Sequence, residues 1–252
     1  MSAFEPKPNP TAAVNPRPES LAALAARPDD DAICMVNLLK FRSPDGEAAY
    51  GRYGRIAGKE VAARGGGILY AGNAVAAGVG DIAWDRIALV YYPRRAAFLD
   101  MQQSAAYQGA IPDRTKGLEA RLLFAFNASV GDGLQPTPAP QADAGSVYVV
   151  NLLQYRGEVG HENYKKYGAV ANNLITDLGG EVVFDLRANQ AMVSDNAWEH
   201  FVLVRYPSLE ALKSMVSSDP WRQANKAHRE SGLEATIAFP TSRIYSRPLP
   251  TA

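Results

Sequence analysis

A chain of 252 residues is long for one compact domain and comfortable for two small ones. Hydrophobic residues make up 47% and charged residues 21%, a globular composition, and 26 basic residues balance 26 acidic ones, which removes the basic excess expected of a nucleic-acid binder. The single cysteine, Cys34, excludes an internal disulfide framework, and no apolar run reaches the roughly 18 residues of a membrane span. The opening residues lack a charged-then-apolar signal pattern, so a cytoplasmic protein with neither membrane nor nucleic-acid partners is expected.

The first fifteen or so residues carry prolines at 6, 8, 10, 16 and 18 and read as a poorly ordered arm. Residues 18–26 then predict a short helix, so arm and helix together occupy residues 1–30. Residues 33–41 are β-branched and Leu-rich and predict a strand buried on both faces, which makes Cys34 an inert core thiol. In the helix that follows, Tyr50, Tyr53, Ala57 and Val61 recur at steps of three and four and form one apolar stripe. Gly65-Gly66 stands where a helix C-cap needs a left-handed residue. Strands are predicted over 67–77 and 84–92, the second led by Trp84 and ended by a proline, with a turn near Asp81. A helix over 95–107 and a strand over 119–126 complete the order βαββαβ, that of a ferredoxin-like unit.

The unit is then written again. Met35-Val36-Asn37-Leu38-Leu39 returns 114 positions later as Val149-Val150-Asn151-Leu152-Leu153. The same shift pairs Tyr50 with Tyr164, Tyr53 with Tyr167, Gly65-Gly66 with Gly179-Gly180, Trp84 with Trp198 and Met101 with Met215. Near the end one residue is inserted, so that Arg114 aligns with Arg229 and Gly117-Leu118-Glu119-Ala120 with Gly232-Leu233-Glu234-Ala235. This is a tandem duplication. The second copy repeats the predictions: strand 147–155, a helix with the stripe Tyr164, Tyr167, Ala171, Leu174 and Leu178, strands 181–193 and 198–206 around a turn near Asp195, helix 209–221 and strand 234–239. The domain plan is a first unit over 31–127, a Gly- and Pro-containing linker over 128–145 and a second unit over 146–247. One four-stranded sheet has helices on one face only, while its strands are apolar on both. Sheet against sheet about a pseudo-two-fold axis solves this, giving an α+β fold of two ferredoxin-like units in an intramolecular α/β barrel. Such a chain is a monomer with an internal pseudo-dimer, or a homo-oligomer of it.

The strand Val36-Asn37-Leu38-Leu39-Lys40-Phe41-Arg42, the helix motif Tyr50-Gly51-Arg52-Tyr53-Gly54 and the Gly-Gly turn belong to a recognisable set. With the Trp-led third strand ending Tyr-Pro and the closing His228-Arg229-Glu230-Ser231-Gly232-Leu233-Glu234, they resemble the domain of unknown function 1330 family. That family is similar to the wider dimeric α/β-barrel superfamily. The resemblance covers residues 30–127 and 145–245 and implies the barrel fold. It leaves the chemistry open, because the superfamily includes cofactor-independent monooxygenases, isomerases, haem enzymes and plain ligand binders. The first copy departs from the closing pattern, with Pro112-Asp113-Arg114 where the second has Ala227-His228-Arg229, so a role for the histidine belongs to the second copy alone.

Several residues have both a structural and a functional reading. Asn37 and Asn151 interrupt apolar strands, and a buried amide costs roughly 1–3 kcal/mol unless bonded, so each needs a partner, from a neighbouring loop or from a ligand carbonyl. Tyr50/Tyr53 and Tyr164/Tyr167 lie on one side of their helices, as core or as a pocket wall. Arg42 and Arg156 end the first strands, either solvated or binding an anion, and Trp84 and Trp198 either pack at the sheet edge or line a cavity. His228 is the candidate general acid or base, with Arg229 to hold a carboxylate and Glu234 to orient the ring; the structural reading is a surface or capping histidine.

Metal and cofactor sites find no support. His161, His200 and His228 are far apart in sequence, and His161-Glu162-Asn163-Tyr164-Lys165 has lysine where a zinc-peptidase helix needs its second ligand. Gly65-Gly66-Gly67 follows a helix and precedes a strand, the reverse of a phosphate-cradling loop, and Asp29-Asp30-Asp31 reads as a solvated turn. The functional expectation is one apolar small-molecule pocket per copy, between helices and sheet, in a cofactor-independent enzyme acting on a small aromatic or acyl compound with a carbonyl or carboxylate. In it the second copy is active, with His228 as proton shuttle, Asn151 and Arg229 as anchors and Tyr164 and Tyr167 as the wall. The alternative is a non-catalytic binding or assembly module whose repeated residues are structural, and a third reading is haem held by His228.

Overall fold

The structure, a computed structural model, describes residues 14–128, 145–194 and 196–246. The start of the arm, most of the linker and Asp195 lie outside the described residues. The first copy consists of α1 (Pro18–Ala25), β1 (Ile33–Phe41), α2 (Gly46–Ala63), β2 (Gly67–Ala74), β3 (Arg86–Tyr92), α3 (Arg95–Gln103), α4 (Ala105–Gly117) and β4 (Leu118–Asn127). The second consists of β5 (Val147–Tyr155), α5 (Gly157–Asp177), β6 (Glu181–Val193), β7 (His200–Tyr206), α6 (Leu209–Ser217), α7 (Asp219–Ala224), a π-helical turn (Asn225–Arg229), α8 (Glu230–Gly232) and β8 (Leu233–Ser246). Gly65 and Gly179 take φ of 75° and 73° just beyond α2 and α5, the left-handed step that only glycine makes without strain. Among the described residues no helix is long and apolar enough to cross a membrane.

The strands form one closed barrel in the order β1-β3-β2-β8-β5-β7-β6-β4, every pairing antiparallel. Each copy supplies the ferredoxin-like order, and the copies are joined twice, β2 to β8 and β4 to β6. Closure leaves no strand edge unpaired. Alternate residues of β1 point inward: Cys34, Val36 and Leu38 share one buried cluster with Tyr70, Phe124, Phe126, Tyr148, Val150, Phe184, Phe201 and Phe239, drawn from both copies. The two sheets therefore bury their faces against each other, as the apolar strands require. Burial alone pushes the Cys34 thiol far above its ordinary range, so it stays protonated and inert.

Met35 points the other way, into a cluster with Tyr53, Val61, Phe98, Met101 and Tyr107 beneath the first copy's helices. Ala171, Ile175, Val202, Val204, Tyr206 and Met215 form its counterpart in the second copy. Asn37 and Asn151, two residues along from Met35 and Val149, consequently face the helices and not the barrel interior.

Three elements differ from the sequence expectation. The helices expected over 95–107 and 209–221 are each two, because Ser104 and Ser218 are extended (ψ 138° and 144°) and cap the next helix by accepting from the amides of Tyr107 and Trp221. Trp84 and Trp198 precede their strands and pack in the barrel interior. The last strand runs on to Ser246 because its far half, from Thr241, is the partner of β2. The inserted residue of the second copy is taken up by the π-helical turn, a single wider turn that leaves the flanking helix intact.

Because the interior is common property, its damage is felt by both halves. Phe201→Ala is expected to cost about 3–5 kcal/mol in urea denaturation. The shift should be the same whether Trp84 or Trp198 is the sole fluorescent reporter; a shift confined to Trp198 would mean the halves unfold separately.

Candidate functional site

A cavity of about 540 Å³ lies in the second copy between α5, α6 and α7 and the outward face of β5, β6 and β7. Strand register explains its polarity. Along β7 the outward residues are His200, Val202, Val204 and Tyr206; His200 stands opposite Leu153 and Arg187, Val202 opposite Asn151 and Asp185, and Val204 opposite Val149 and Val182. One end of the sheet face is therefore polar and the other is lined with valines, which Ile175, Leu212 and Met215 of the helices close over. Tyr164 and Tyr167 of α5 line the cavity as well.

At the polar end three side chains form a chain of hydrogen bonds. His200 is buried, with Nε2 2.7 Å from Asp185 Oδ1 and Nδ1 2.6 Å from the Tyr155 hydroxyl. Burial disfavours the imidazolium and lowers the His200 pKa below its ordinary 6.5, although the bond to Asp185 and its charge oppose this. For Asp185, burial pushes upward but is outweighed by the His200 hydrogen bond and charge and by Arg187, leaving the carboxyl below its usual range. At neutral pH the pair is thus a carboxylate and a neutral imidazole. An ionised carboxylate only accepts, so Nε2 carries the proton, Nδ1 is the acceptor, and the Tyr155 hydroxyl donates to it. Burial raises the Tyr155 phenol to about 12, so it keeps its proton at rest. Its ring packs against the rings of His161 at 4.6 Å and Tyr164 at 5.5 Å.

Asn151 and Arg229 also line the cavity. The Asn151 amide nitrogen donates to the carbonyls of Val149 (3.2 Å) and Val202 (3.5 Å), which fixes the side chain and leaves Oδ1 as the atom presented outward. In the first copy the matching Asn37 Oδ1 accepts twice from Arg121, at 3.2 and 2.6 Å. The position of Arg121 is Thr236 in the second copy, too short to reach, and among the described residues Asn151 Oδ1 has no protein donor. The neighbouring position changes in the same sense, from Leu123 opposite Asn37 to Ala238 opposite Asn151. These two reductions open the second copy where the first is filled. The Arg229 guanidinium lies 6.0 Å from the Tyr167 ring centre and donates to Thr236 (3.2 Å); among the described residues it has no ion pair. Trp221 donates to the Tyr167 hydroxyl at 3.2 Å. The first copy also contributes: Val79, from the segment between β2 and β3, bridges to Ala238 and lines the cavity.

Of the residues singled out in the sequence, Asn151, Tyr164, Tyr167 and Arg229 meet in this cavity. Asn37 bonds the buried Arg121 and Tyr53 the buried Arg114, at 3.2 Å, and the Tyr50 ring packs at a tilt against that of Tyr53. Trp84 and Trp198 are in the barrel interior, and His228 sits in the π-helical turn and is not among the lining residues. Glu234 is paired with Arg156 at 3.5 Å. Tyr155, Asp185 and His200 were missed. The available signal was divergence between the copies, since the matching positions are Phe41, Ala71 and Arg86. Glu158, His161 and Glu162 approach one another within 4.8 Å at the start of α5, but the acids are exposed and hold no third buried donor, so no ion is assigned.

The family model for Domain of unknown function (DUF1330) matches residues 38–127 and 147–240, once per copy. The chain belongs to this family. Its two DUF1330 units share their barrel fold with a candidate monooxygenase from Fusobacterium nucleatum (10% identity, TM-score 0.57, 88% of this chain and 97% of that one). An anthrone oxidase-like protein is similar to the same extent (11% identity, TM-score 0.58, 88% and 95%). A protein of unknown function from Rhodopseudomonas palustris is 27% identical over 47% of this chain and 98% of its own, with a TM-score of 0.43. No curated protein matches the chain.

The histidine makes stability depend on pH. Its folded pKa is depressed, so its unfolded form binds protons first, and stability is full above about 6.5 and falls as the pH drops toward the folded value. His200→Gln should flatten that acid limb, and Asp185→Asn should lower the imidazole pKa further in NMR titration; an imidazole titrating above 6.5 would contradict the assigned neutral state.

Proposed function

We propose that the second DUF1330 unit binds a small aromatic or acyl carbonyl compound and removes a proton from it, without a resident cofactor. The reading rests on one observation: the chain Asp185–His200–Tyr155 ends in the polar end of a cavity whose other end is apolar. In the proposed step a ligand C–H or O–H proton passes to the Tyr155 oxygen while the Tyr155 proton passes to His200 Nδ1. The imidazolium so formed is held by the Asp185 carboxylate, and the tyrosine ends neutral. The Tyr155 phenol is protonated at rest, so it acts as a relay between ligand and His200 and not as a standing base. The enolate or phenolate left on the ligand is stabilised by the Arg229 guanidinium, which has no competing carboxylate among the described residues. Asn151 offers an acceptor, which suits a ligand hydroxyl, and Tyr164, Tyr167 and the valines suit a flat apolar body. This reading moves the proton-transfer role from His228 to His200, and keeps Asn151 and Arg229 as anchors.

The test is exchange of solvent deuterium into acetophenone, 2-hydroxyacetophenone and short acyl ketones, followed by NMR. The expected result is exchange catalysed by the wild type and slowed about 10²–10⁴-fold by Tyr155→Phe or His200→Gln. Arg229→Gln should weaken ligand binding about tenfold or more. Ligands that bind the wild type and never exchange would leave a binder without turnover and contradict the catalytic reading.

A further inference from the structure

Among the described residues four arginines are buried, and they are treated in two ways. Arg95 is paired with Asp29 at 2.9 Å and Arg205 with Glu181 at 2.6 Å. Arg114 and Arg121, 1% and 4% exposed, have no carboxylate partner among the described residues. Two adjacent buried cations without a counter-ion are costly, since low polarity magnifies their repulsion and desolvation. Their field is felt nearby: burial would raise the Tyr107 phenol, but Arg114 and Arg121, together with hydrogen bonds to Tyr53 and Gln102, hold it below the ordinary range.

Among the described residues the guanidiniums meet neutral oxygens only: Arg114 donates to the Tyr53 and Tyr107 hydroxyls (3.2 and 2.6 Å) and Arg121 to Asn37 Oδ1 within the unit, and both donate to the segment before α1. Asn15 Oδ1 accepts from Arg114 at 3.1 and 2.8 Å, and the carbonyl of Val14 accepts from Arg121 at 3.2 Å. The Val14 side chain is buried with Leu39 and Leu118, against Phe41 and Tyr50. Val14-Asn15 therefore presents two neutral oxygens to two cations and a branched aliphatic group to an apolar slot. These bonds are already charge-assisted by the guanidiniums, but neutral acceptors leave both positive charges uncompensated; an aliphatic carboxylate could accept in the same places and supply the missing counter-charge.

We propose that the first DUF1330 unit is a second ligand site, for a small branched or linear aliphatic monocarboxylate, held shut by Val14-Asn15 of the same chain. Arg114 and Arg121 bind the carboxylate, and Leu39, Leu118, Phe41 and Tyr50 bind its body. Occupancy requires the strap to leave, so ligand and strap compete.

Isovalerate, which joins a valine-like branch to a carboxylate, is the probe, used on the full chain in an Arg229→Gln, Ala238→Leu background, which removes the second cavity's cation and fills part of its space. In a Val14→Cys variant the thiol is buried in the slot while the strap is seated, and Cys34 is fully buried. Saturating isovalerate should raise the rate of Val14→Cys labelling at least tenfold. Asn15→Ala, which leaves both arginines in place, should tighten isovalerate binding about five- to tenfold in calorimetry, and Arg121→Gln should abolish it. A labelling rate indifferent to isovalerate, together with an affinity unchanged by Asn15→Ala, would overturn the proposal even if Arg121→Gln fails to fold, and would make the arginines anchors for the strap alone.

Discussion

Two strand pairings, β2 with β8 and β4 with β6, turn two half-covered sheets into one closed barrel. Without them each unit would expose an apolar sheet face and two unpaired strand edges, both strong drives to aggregation. With them, the inward residues of all eight strands share a single interior to which both copies contribute. The fixed interior has a further consequence. It holds the outward faces of the two sheets in the same geometry, so any difference between the copies there arises from side chains on a common frame.

That difference is concentrated at a few positions. On the first copy's frame, Arg121 bonds Asn37, Leu123 stands opposite it, and Arg86 pairs with Glu47 and Asn73. On the second, Thr236 and Ala238 are small, and His200 takes the place of Arg86 with Asp185 and Tyr155 as its partners. The arginine that both copies keep, Arg114 or Arg229, lies over the same tyrosine of the helix in each, at 5.1 and 6.0 Å. The π-helical turn lets it do so despite the inserted residue. On this one frame Arg121, Leu123 and the Val14-Asn15 segment fill the first copy's face, and smaller side chains leave the second copy's face open.

Much of the frame was legible from residues alone. The repeat, the βαββαβ order, the glycine caps and the sheet-to-sheet contact all depend on local pattern or on the need to cover apolar strands, and both are written in the chain. The site was legible only in part. Asn151, Tyr164, Tyr167 and Arg229 stood out because they recur or interrupt an apolar run. The Asp185–His200–Tyr155 chain spans three strands, and which residues meet across strands depends on a register that no single strand reveals. His228 drew attention because a closing motif surrounds it, yet the π-helical turn puts it away from the cavity lining. The breaks at Ser104 and Ser218 were hidden because helical periodicity continues across them.

Side-chain reductions on a shared frame open an apolar chamber in the second copy at positions that Arg121 and Leu123 occupy in the first. Diffraction from crystals held under xenon pressure tests it most directly, because xenon enters dry apolar cavities without needing a specific chemistry. The account predicts xenon between Ile175, Val204 and Met215 of the second unit, none at Val61, Val90 and Met101 of the first, and loss of the second-unit site in Ala238→Leu. Equal occupancy of both units, or of neither, would contradict it.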